Sequence, residues 1–192
     1  SRYIEGGSAQ MGLFRRILSK TLNKAFSFIL SLNVKDLSSN FRMYRKTALD
    51  SIEIQSRNFD VLEEILLKIY SKGWKIIEVP FHYQPRVHGK SHIKLLRFAK
   101  DYLRTLFRMW QLRNSIDCAD YDFRAFYSKI FLQKFWQRKR HSIILNFINK
   151  KNNFLDIGCG SSKIIIDHPE AIALDISLDK LRYLRSTNKK LV

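Results

Sequence analysis

The chain has 192 residues, 45% hydrophobic and 27% charged, a globular composition that excludes a disordered chain. Its net charge of +18 implies an anionic partner: nucleic acid, anionic lipid or a phosphorylated substrate. Two cysteines, Cys118 and Cys159, exclude a disulfide framework and point to a reducing compartment, and no apolar run approaches the roughly 18 residues a bilayer span needs.

Ser1-Arg2-Tyr3-Ile4-Glu5-Gly6-Gly7 ends in a glycine pair that marks a flexible loop. The first apolar run follows Gly12 and is interrupted by cations, so it does not read as a secretory signal. Ser1 stands where a complete reading frame would have Met, so the chain is expected to begin inside a longer one. The spacing predicts a helix over 13–32, with Arg16, Lys20, Asn23, Lys24 and Ser27 on one side and Leu18, Leu22, Phe26 and Ile29 on another. A polar turn is expected over 36–42, where Ser38, Ser39 and Asn40 bond the local backbone and Asn40 tolerates a left-handed conformation. A second helix is predicted over 59–71 and stopped by Gly73; Glu63 and Glu64 in its first turn favour its dipole.

The β-branched bulk of Ile76, Ile77 and Val79 predicts a strand over 75–79, ended by Pro80 and Pro85. The loop that follows carries Arg86, His88, Gly89, Lys90 and Ser91: two fixed cations, a glycine and a hydroxyl. These groups suit a phosphate cradle, and equally a solvated basic loop. A long amphipathic helix is predicted over 93–112. Lys94, Arg97, Lys100, Arg104 and Arg108 form its cationic stripe, and Leu95, Ala99, Tyr102, Leu103, Leu106 and Trp110 its apolar face. That design suits a helix lying in an anionic membrane surface, as well as an ordinary helix covering a core. The five histidines have no spacing that demands a metal.

A polar, locally acidic stretch over 113–122 marks a domain boundary, dividing the chain into 1–115 and 116–192. Helices carrying Phe126, Tyr127, Ile130, Phe131, Phe135 and Trp136 are expected next, then the cationic cluster Arg138-Lys139-Arg140 and a helix over 141–148. A short strand ending in Asp156-Ile157 then runs into Gly158-Cys159-Gly160-Ser161-Ser162, and a second strand ends in Asp175. Strand, glycine turn and acid at this offset resemble a nucleotide-binding βαβ unit, the acid being placed for ribose hydroxyls. Lys163 stands where the dinucleotide fingerprint has its third glycine, which argues for an adenosine cofactor without a pyrophosphate.

The segment from Leu155 to Ser162, with Asp175, resembles the first two motifs of class I S-adenosylmethionine-dependent methyltransferases, with Ser162 in place of the usual glycine. That resemblance implies S-adenosylmethionine as cofactor. Asp156, Gly158 and Gly160 would cradle its amino-acid end and Asp175 its ribose, with the later motifs beyond Val192.

Residues 1–115 resemble the C-terminal half of family 2 glycosyltransferases of the dolichol-phosphate mannosyltransferase type. The resemblance rests on Ser1-Arg2-Tyr3 with Gly6-Gly7, Arg15-Arg16 and Ser19, and the 36–42 segment, which matches Asp-x-Thr-Ser-Gly-Phe-Arg with Asn40 for Gly. It rests also on Glu78-Val79-Pro80 with Arg86, Gly89, Lys90 and Ser91. It implies a nucleotide-sugar donor, a polyprenyl-phosphate acceptor, and Arg2, Arg16 and Arg86 as phosphate clamps assisted by Ser19 and Lys90. Glu63 and Glu64 stand where related sequences carry an acid near the active site. The divalent metal, Mg or Mn, would be held by an Asp-x-Asp motif upstream of Ser1.

The expected fold is therefore α/β: a partial GT-A, Rossmann-like glycosyltransferase domain followed by a partial Rossmann-type methyltransferase domain, the chain being a central segment of a fusion. The expected location is cytoplasmic, peripheral at the inner face of the membrane, with no nucleic acid bound. With unfinished sheets in both halves, the isolated chain is expected to be catalytically inactive. The alternative is a basic module that binds nucleic acid or anionic lipid without catalysis.

Overall fold

The computed structural model describes residues 1–56, 58, 60–84, 95–148 and 154–187. Helices and parallel strand pairs form two compact units, one from Ser1–Ile69 with Ile76–Arg113, the other from Tyr70–Lys75 with Asn114–Val192.

In the first unit β1 (Ser8–Ala9) pairs in parallel with β2 (His82–Tyr83), Ser8 opposite His82 and Ala9 opposite Tyr83. Four helices accompany them: α1 (Leu13–Ile29), α2 (Lys46–Asp50), α3 (Val61–Ser71) and α4 (Leu95–Asn114). The strand expected over 75–79 is not formed; pairing begins beyond Pro80, at His82. Ile77 and Val79 are exposed, and the Glu78 side chain accepts from the amides of Lys35 (2.9 Å) and Asp36 (3.1 Å). β-branched composition predicts a strand only where a partner lies alongside, and the segment has no ladder partner among the described residues.

α1 departs from its predicted orientation. Leu18, Leu22 and Ile29 are nearly half exposed, whereas Asn23, assigned by its chemistry to the polar side, is buried. Its amide replaces the water it gives up: Nδ2 donates to the Ser19 carbonyl (2.8 Å) and to Ser38 Oγ (3.1 Å), and Oδ1 accepts from the Leu37 amide (2.6 Å). The helix ends where Ser31 turns to φ 50°; Asn40, which could tolerate a left-handed conformation, does not take one. Buried Arg113, at the end of α4, donates from Nε to the Leu30 carbonyl (2.9 Å) and from Nη2 to that of Ser31 (3.1 Å), satisfying carbonyls the helix end leaves open. The core here gathers Leu30, Leu67 and Met109, and beside them Val34, Leu37 and Leu66.

The second unit contains α5 (Tyr121–Phe126), α6 (Phe131–Phe147), β3 (Leu155–Ile157), α7 (Lys163–Asp167), β4 (Ile172–Leu174) and α8 (Leu178–Thr187). β3 and β4 are parallel, Asp156 opposite Ala173, and α7 crosses between them. Cys159, Ile165, Ala171 and Leu184 form the core. Leu155, Ile157, Ile172 and Leu174 are more than half exposed, as a two-stranded sheet leaves them. Gly73 follows α3 at φ +76° as predicted, and a Cβ there would lie 2.4 Å from the Asp179 carbonyl oxygen, so α8 approaches where no side chain fits.

Candidate functional site

Two separate candidates emerge, one in each unit. In the first, Arg2 is fixed by the loop over 36–42. Its Nε donates to Asp36 Oδ2 (2.8 Å), its Nη2 to Asp36 Oδ1 (2.7 Å) and Ser38 Oγ (2.8 Å), and its backbone amide to Asp36 Oδ2 (3.1 Å). The fork–fork geometry is the one Arg makes with carboxylate or phosphate, and the side chains are 10% and 1% exposed. Burial alone would raise the Asp36 carboxyl; the bonds from Arg2 outweigh it and hold the group below its ordinary range. Arg2 also lies 5.2 Å from the ring centre of Tyr3 and 5.8 Å from that of Tyr83.

Tyr3 Oη donates to Ser19 Oγ at 2.8 Å, so the residue next to Arg2 reaches α1. Asn23, one turn beyond Ser19, closes the circuit through Ser38, whose hydroxyl Arg2 also bonds. Arg2 and Ser19 thus belong to one polar network, and exposed Arg16 lies one turn before Ser19 on the same side of α1. Arg86 and Lys90 lie outside the described residues. Sequence reasoning missed Tyr3, Asn23 and Glu78 as members of the network. Tyr3 and Glu78 stand inside the motifs that carry the family resemblance, the signal that could have found them; Asn23, grouped with the cations of α1, carried none.

The two acids of α3 differ sharply. Glu64 is fully buried, pairs with Lys68 Nζ at 2.7 Å, and accepts from the Gln55 and Ser56 amides at 3.1 and 2.7 Å. Burial opposes its ionisation, but these donors win and bring it down to about 2. Glu64 is therefore a latch on the 55–56 segment. Glu63 has a buried Oε2 without a hydrogen bond and lines a small apolar cavity with Leu37, Tyr102, Leu106 and Met109. Burial pushes it up to about 7, with Arg42 lowering and Asp60 raising it.

In the second unit the glycine turn follows β3. Gly158 (φ +72°) and Gly160 (φ +58°) both take the left-handed conformation that glycine alone adopts cheaply. Asp175, just past β4, accepts the Gly160 amide through Oδ2 (2.7 Å) and the Ser177 amide through Oδ1 (2.7 Å), the latter bond being the chief reason its carboxyl sits low. Asp122 of α5 reaches the same turn: its Oδ2 accepts from the Ser161 amide (3.0 Å) and Ser161 Oγ (3.3 Å) and pairs with Lys180 Nζ (3.0 Å). Ser162, the departure from the glycine motif, caps α7 by accepting the Ile164 amide at 3.1 Å.

A cavity of about 130 Å³ opens beside this turn, lined among others by Gly158, Gly160, Asp175, Asp122, His141 and Lys163. Of the four residues expected to hold a cofactor, Gly158, Gly160 and Asp175 line it and Asp156 does not. Asp156, on β3, is half-buried, its carboxyl raised by burial, with Arg140 lowering it and Asp175 raising it. A Cβ on Gly158 would meet nothing within 4 Å, so a ligand has room on that flank, whereas one on Gly160 would lie 2.4 Å from Asp122 Oδ2. Asp122 was not legible as part of the site, since nothing local in the acidic 113–122 stretch marks a residue that reaches a turn 39 positions later. Among the described residues no cluster of three or more His, Cys, Asp or Glu is placed to hold a metal, and no helix is long and apolar enough to cross a membrane.

No family model matches the chain, and no solved structure matches it. Its sequence is 32% identical over 120 residues to a dolichol-phosphate mannosyltransferase of Pyrococcus furiosus, covering 61% of this chain and 33% of that protein. It is 26% identical over 125 residues to a polyprenol monophosphomannose synthase of Mycolicibacterium smegmatis, covering 62% of this chain and 46% of that protein. The chain thus spans under half the length of these curated relatives, and over about three fifths of its own length it is similar to polyprenol- and dolichol-phosphate mannosyltransferases.

Proposed function

We propose that residues 1–115 are the acceptor-binding part of a transferase that moves a sugar from a nucleotide donor to a polyprenyl phosphate at an anionic membrane surface. The observation that carries this reading is the network joining Arg2, Asp36, Ser38, Asn23 and Ser19, in a chain whose relatives are named for polyprenol and dolichol phosphates. The acceptor phosphate is already an anion, so no strong general base is needed; the protein's work is positioning and charge neutralisation. Arg16 supplies an exposed cation one turn from the Ser19 hydroxyl. Arg2 commits Nε and Nη2 to Asp36 and Ser38, and Nη1 makes none of those bonds. In this reading Arg86 and Lys90 complete the clamp. The exposed Leu13, Phe14, Ile17 and Leu18 of α1, beside Arg16 and Lys20, and Leu103, Phe107 and Trp110 of α4, beside Arg104, support contact with the lipid surface that carries the acceptor.

Titration of the chain with farnesyl phosphate, followed by ³¹P NMR, tests the clamp. Arg16→Ala, at an exposed position, is expected to weaken binding about tenfold, the scale of one charge-assisted hydrogen bond. Equal affinity for parent and variant would remove Arg16 from the site. Arg86→Ala, assayed for sugar transfer, tests the remaining half; unchanged turnover rules it out.

For residues 116–192 the reading is the opening βαβ of an S-adenosylmethionine-binding unit. Gly158 and Gly160 would lie against the ligand and Asp175 would accept from its ribose hydroxyls, since each carboxylate oxygen there keeps a lone pair beyond its amide bond. When bound, this cofactor supplies an electrophilic methyl group. The exposed flank of Gly158 supports the reading.

A further inference from the structure

Helix α6 turns its largest apolar side chains outward. Gln133, Gln137 and His141, with half-buried Ile144, recur along the side turned to its own unit, and Gln137 and His141 line the cavity at the glycine turn. The opposite side carries two adjacent rows, Phe131–Phe135–Leu145, interrupted by Arg138 and Ser142, and Leu132–Trp136–Ile143–Phe147, with Lys139 and Asn146 between the rows. Phe131 is 76% exposed, Leu132 74% and Trp136 67%, and no residue of α6 is fully buried. A surface helix ordinarily does the reverse, facing its apolar stripe to the core. Here the inward polar side is accounted for by the cavity it walls. Nothing described within the unit accounts for the outward side, and the exposed apolar patch that Phe131, Leu132, Phe135 and Trp136 make at its N-terminal half marks an interaction surface.

The charges on the helix select the occupant. Lys134, Arg138, Lys139 and Arg140 are its ionised residues, and it contains no Asp or Glu. Lys139 lies between Trp136 and Ile143 on the outward side, where a long flexible stem can run along apolar surface and lift its ammonium to a phosphate layer. Arg138 stands over the Phe126 ring at 5.6 Å, at the margin of the same patch. Aromatic side chains flanked by cations without acids match the boundary between acyl chains and anionic head groups. They do not match the depleted charge at the core of a protein interface.

We propose that α6 is a membrane-interface helix, so that the second unit carries its own seat on an anionic bilayer, independent of α1 and α4 and of whether the chain transfers sugar or methyl groups. The helix would lie in the head-group plane with Phe131, Leu132, Phe135, Trp136 and Ile143 in the acyl boundary. Its polar side, and with it the cavity, would face away from the lipid.

The test uses the whole chain carrying Trp74→Phe and Trp110→Phe, which leaves Trp136 as the sole indole. Vesicles of phosphatidylcholine with about a third phosphatidylserine, containing brominated acyl chains, are expected to quench Trp136 and shift its emission to the blue. Pure phosphatidylcholine vesicles and high salt should largely prevent both effects. Adding Lys134→Gln, Arg138→Gln and Lys139→Gln should weaken partitioning about a hundredfold, roughly fivefold per cation near an anionic surface. Trp136 emission that is already blue-shifted without lipid and unquenched with it would mean that protein covers the helix, and would overturn the proposal. Red emission unaffected by anionic vesicles would overturn it equally. Should the tryptophan replacements unfold the chain, amide exchange over 131–147 in the parent decides the same question: slowing by anionic vesicles supports the seat, and unchanged exchange overturns it.

Discussion

Arg2 and Asp36, 34 residues apart, are joined by two parallel side-chain hydrogen bonds at 2.8 and 2.7 Å, and the backbone amide of Arg2 donates to the same carboxylate. This pair fastens the N-terminal segment to the polar loop, and through Ser38 and Asn23 it fastens both to α1.

Removing the cation leaves an almost fully buried carboxylate with one donor where it had three. Arg2→Ala is therefore expected to lower stability by about 3 kcal/mol near neutral pH. The Asp36 carboxyl is depressed in the folded chain from an ordinary value of 3.8. The sign follows: the pair's contribution is complete above the unfolded-state value and disappears as pH falls through the lower folded-state value. Denaturant melts of parent and variant should differ near neutral pH and converge only as pH falls through the lowered folded-state value, well below 3.8. A gap that persists in strong acid would mean that packing, not the ion pair, supports the loop.

Glu63 predicts the opposite slope. Its carboxyl is raised from 4.5 to about 7, chiefly by burial in the cavity beside Tyr102. A raised group contributes fully below its unfolded-state value, and that contribution is lost as pH rises through the folded-state one. Parent stability should thus fall between pH 4.5 and about 7, by roughly 3 kcal/mol. Glu63→Gln should flatten that part of the profile and be the more stable protein at mildly alkaline pH. Arg42, Asp60 and Tyr102 face the same group, so the profile of Asp60→Asn is the control. If parent and Glu63→Gln trace the same curve, Glu63 is ionised throughout.

The two glycines of the turn separate conformational from steric cost. Both have positive φ, and a side chain there costs about 1–2 kcal/mol. Gly158→Ala should cost only that, since no atom lies within 4 Å of the new methyl. Gly160→Ala also drives the methyl into Asp122, 2.4 Å from Oδ2 and 3.1 Å from Cγ, and should cost about 1–2 kcal/mol more. Asp122→Gly should recover that excess in a double-mutant cycle. Equal losses from the two alanines would show that Asp122 does not lie against the turn.

What the sequence disclosed and what it hid divide along the distance between cause and effect. The turn with Asp175 was readable because strand, glycines and acid lie in one local unit, and so was the stop at Gly73. The Arg2–Asp36 pair was half readable: each residue stands in a recognisable motif, but their meeting is tertiary. Propensity overreached at 75–79, where the β-branched residues pair with no described strand. It overreached at Asn23 too, where hydrogen bonds from Leu37 and to Ser38 make burial of an amide acceptable. For α6, composition predicted aromatic helices, a cationic cluster and a separate helix over 141–148, whereas one helix runs from Phe131 to Phe147 through Arg138-Lys139-Arg140, and which side faces inward was not legible. Which side is inward depends on Asp122, Gly160 and the cavity beside them.

Asp175 supplies the last prediction, on ligand binding. Calorimetric titration of the chain with S-adenosylmethionine should give saturable binding, and Asp175→Ala should reduce affinity at least tenfold, roughly the scale of one hydrogen bond to a charged acceptor, by removing the ribose partner. The same substitution frees the Gly160 and Ser177 amides, so a lost signal alone does not separate binding from local collapse. Asp175→Asn resolves the two. Its amide oxygen still accepts one of those amides, so the turn should persist by amide exchange, while the uncharged group grips ribose more weakly and should fall between parent and alanine. Full affinity in both variants would remove Asp175 from the site, and with it the argument that the turn and the acid serve one ligand.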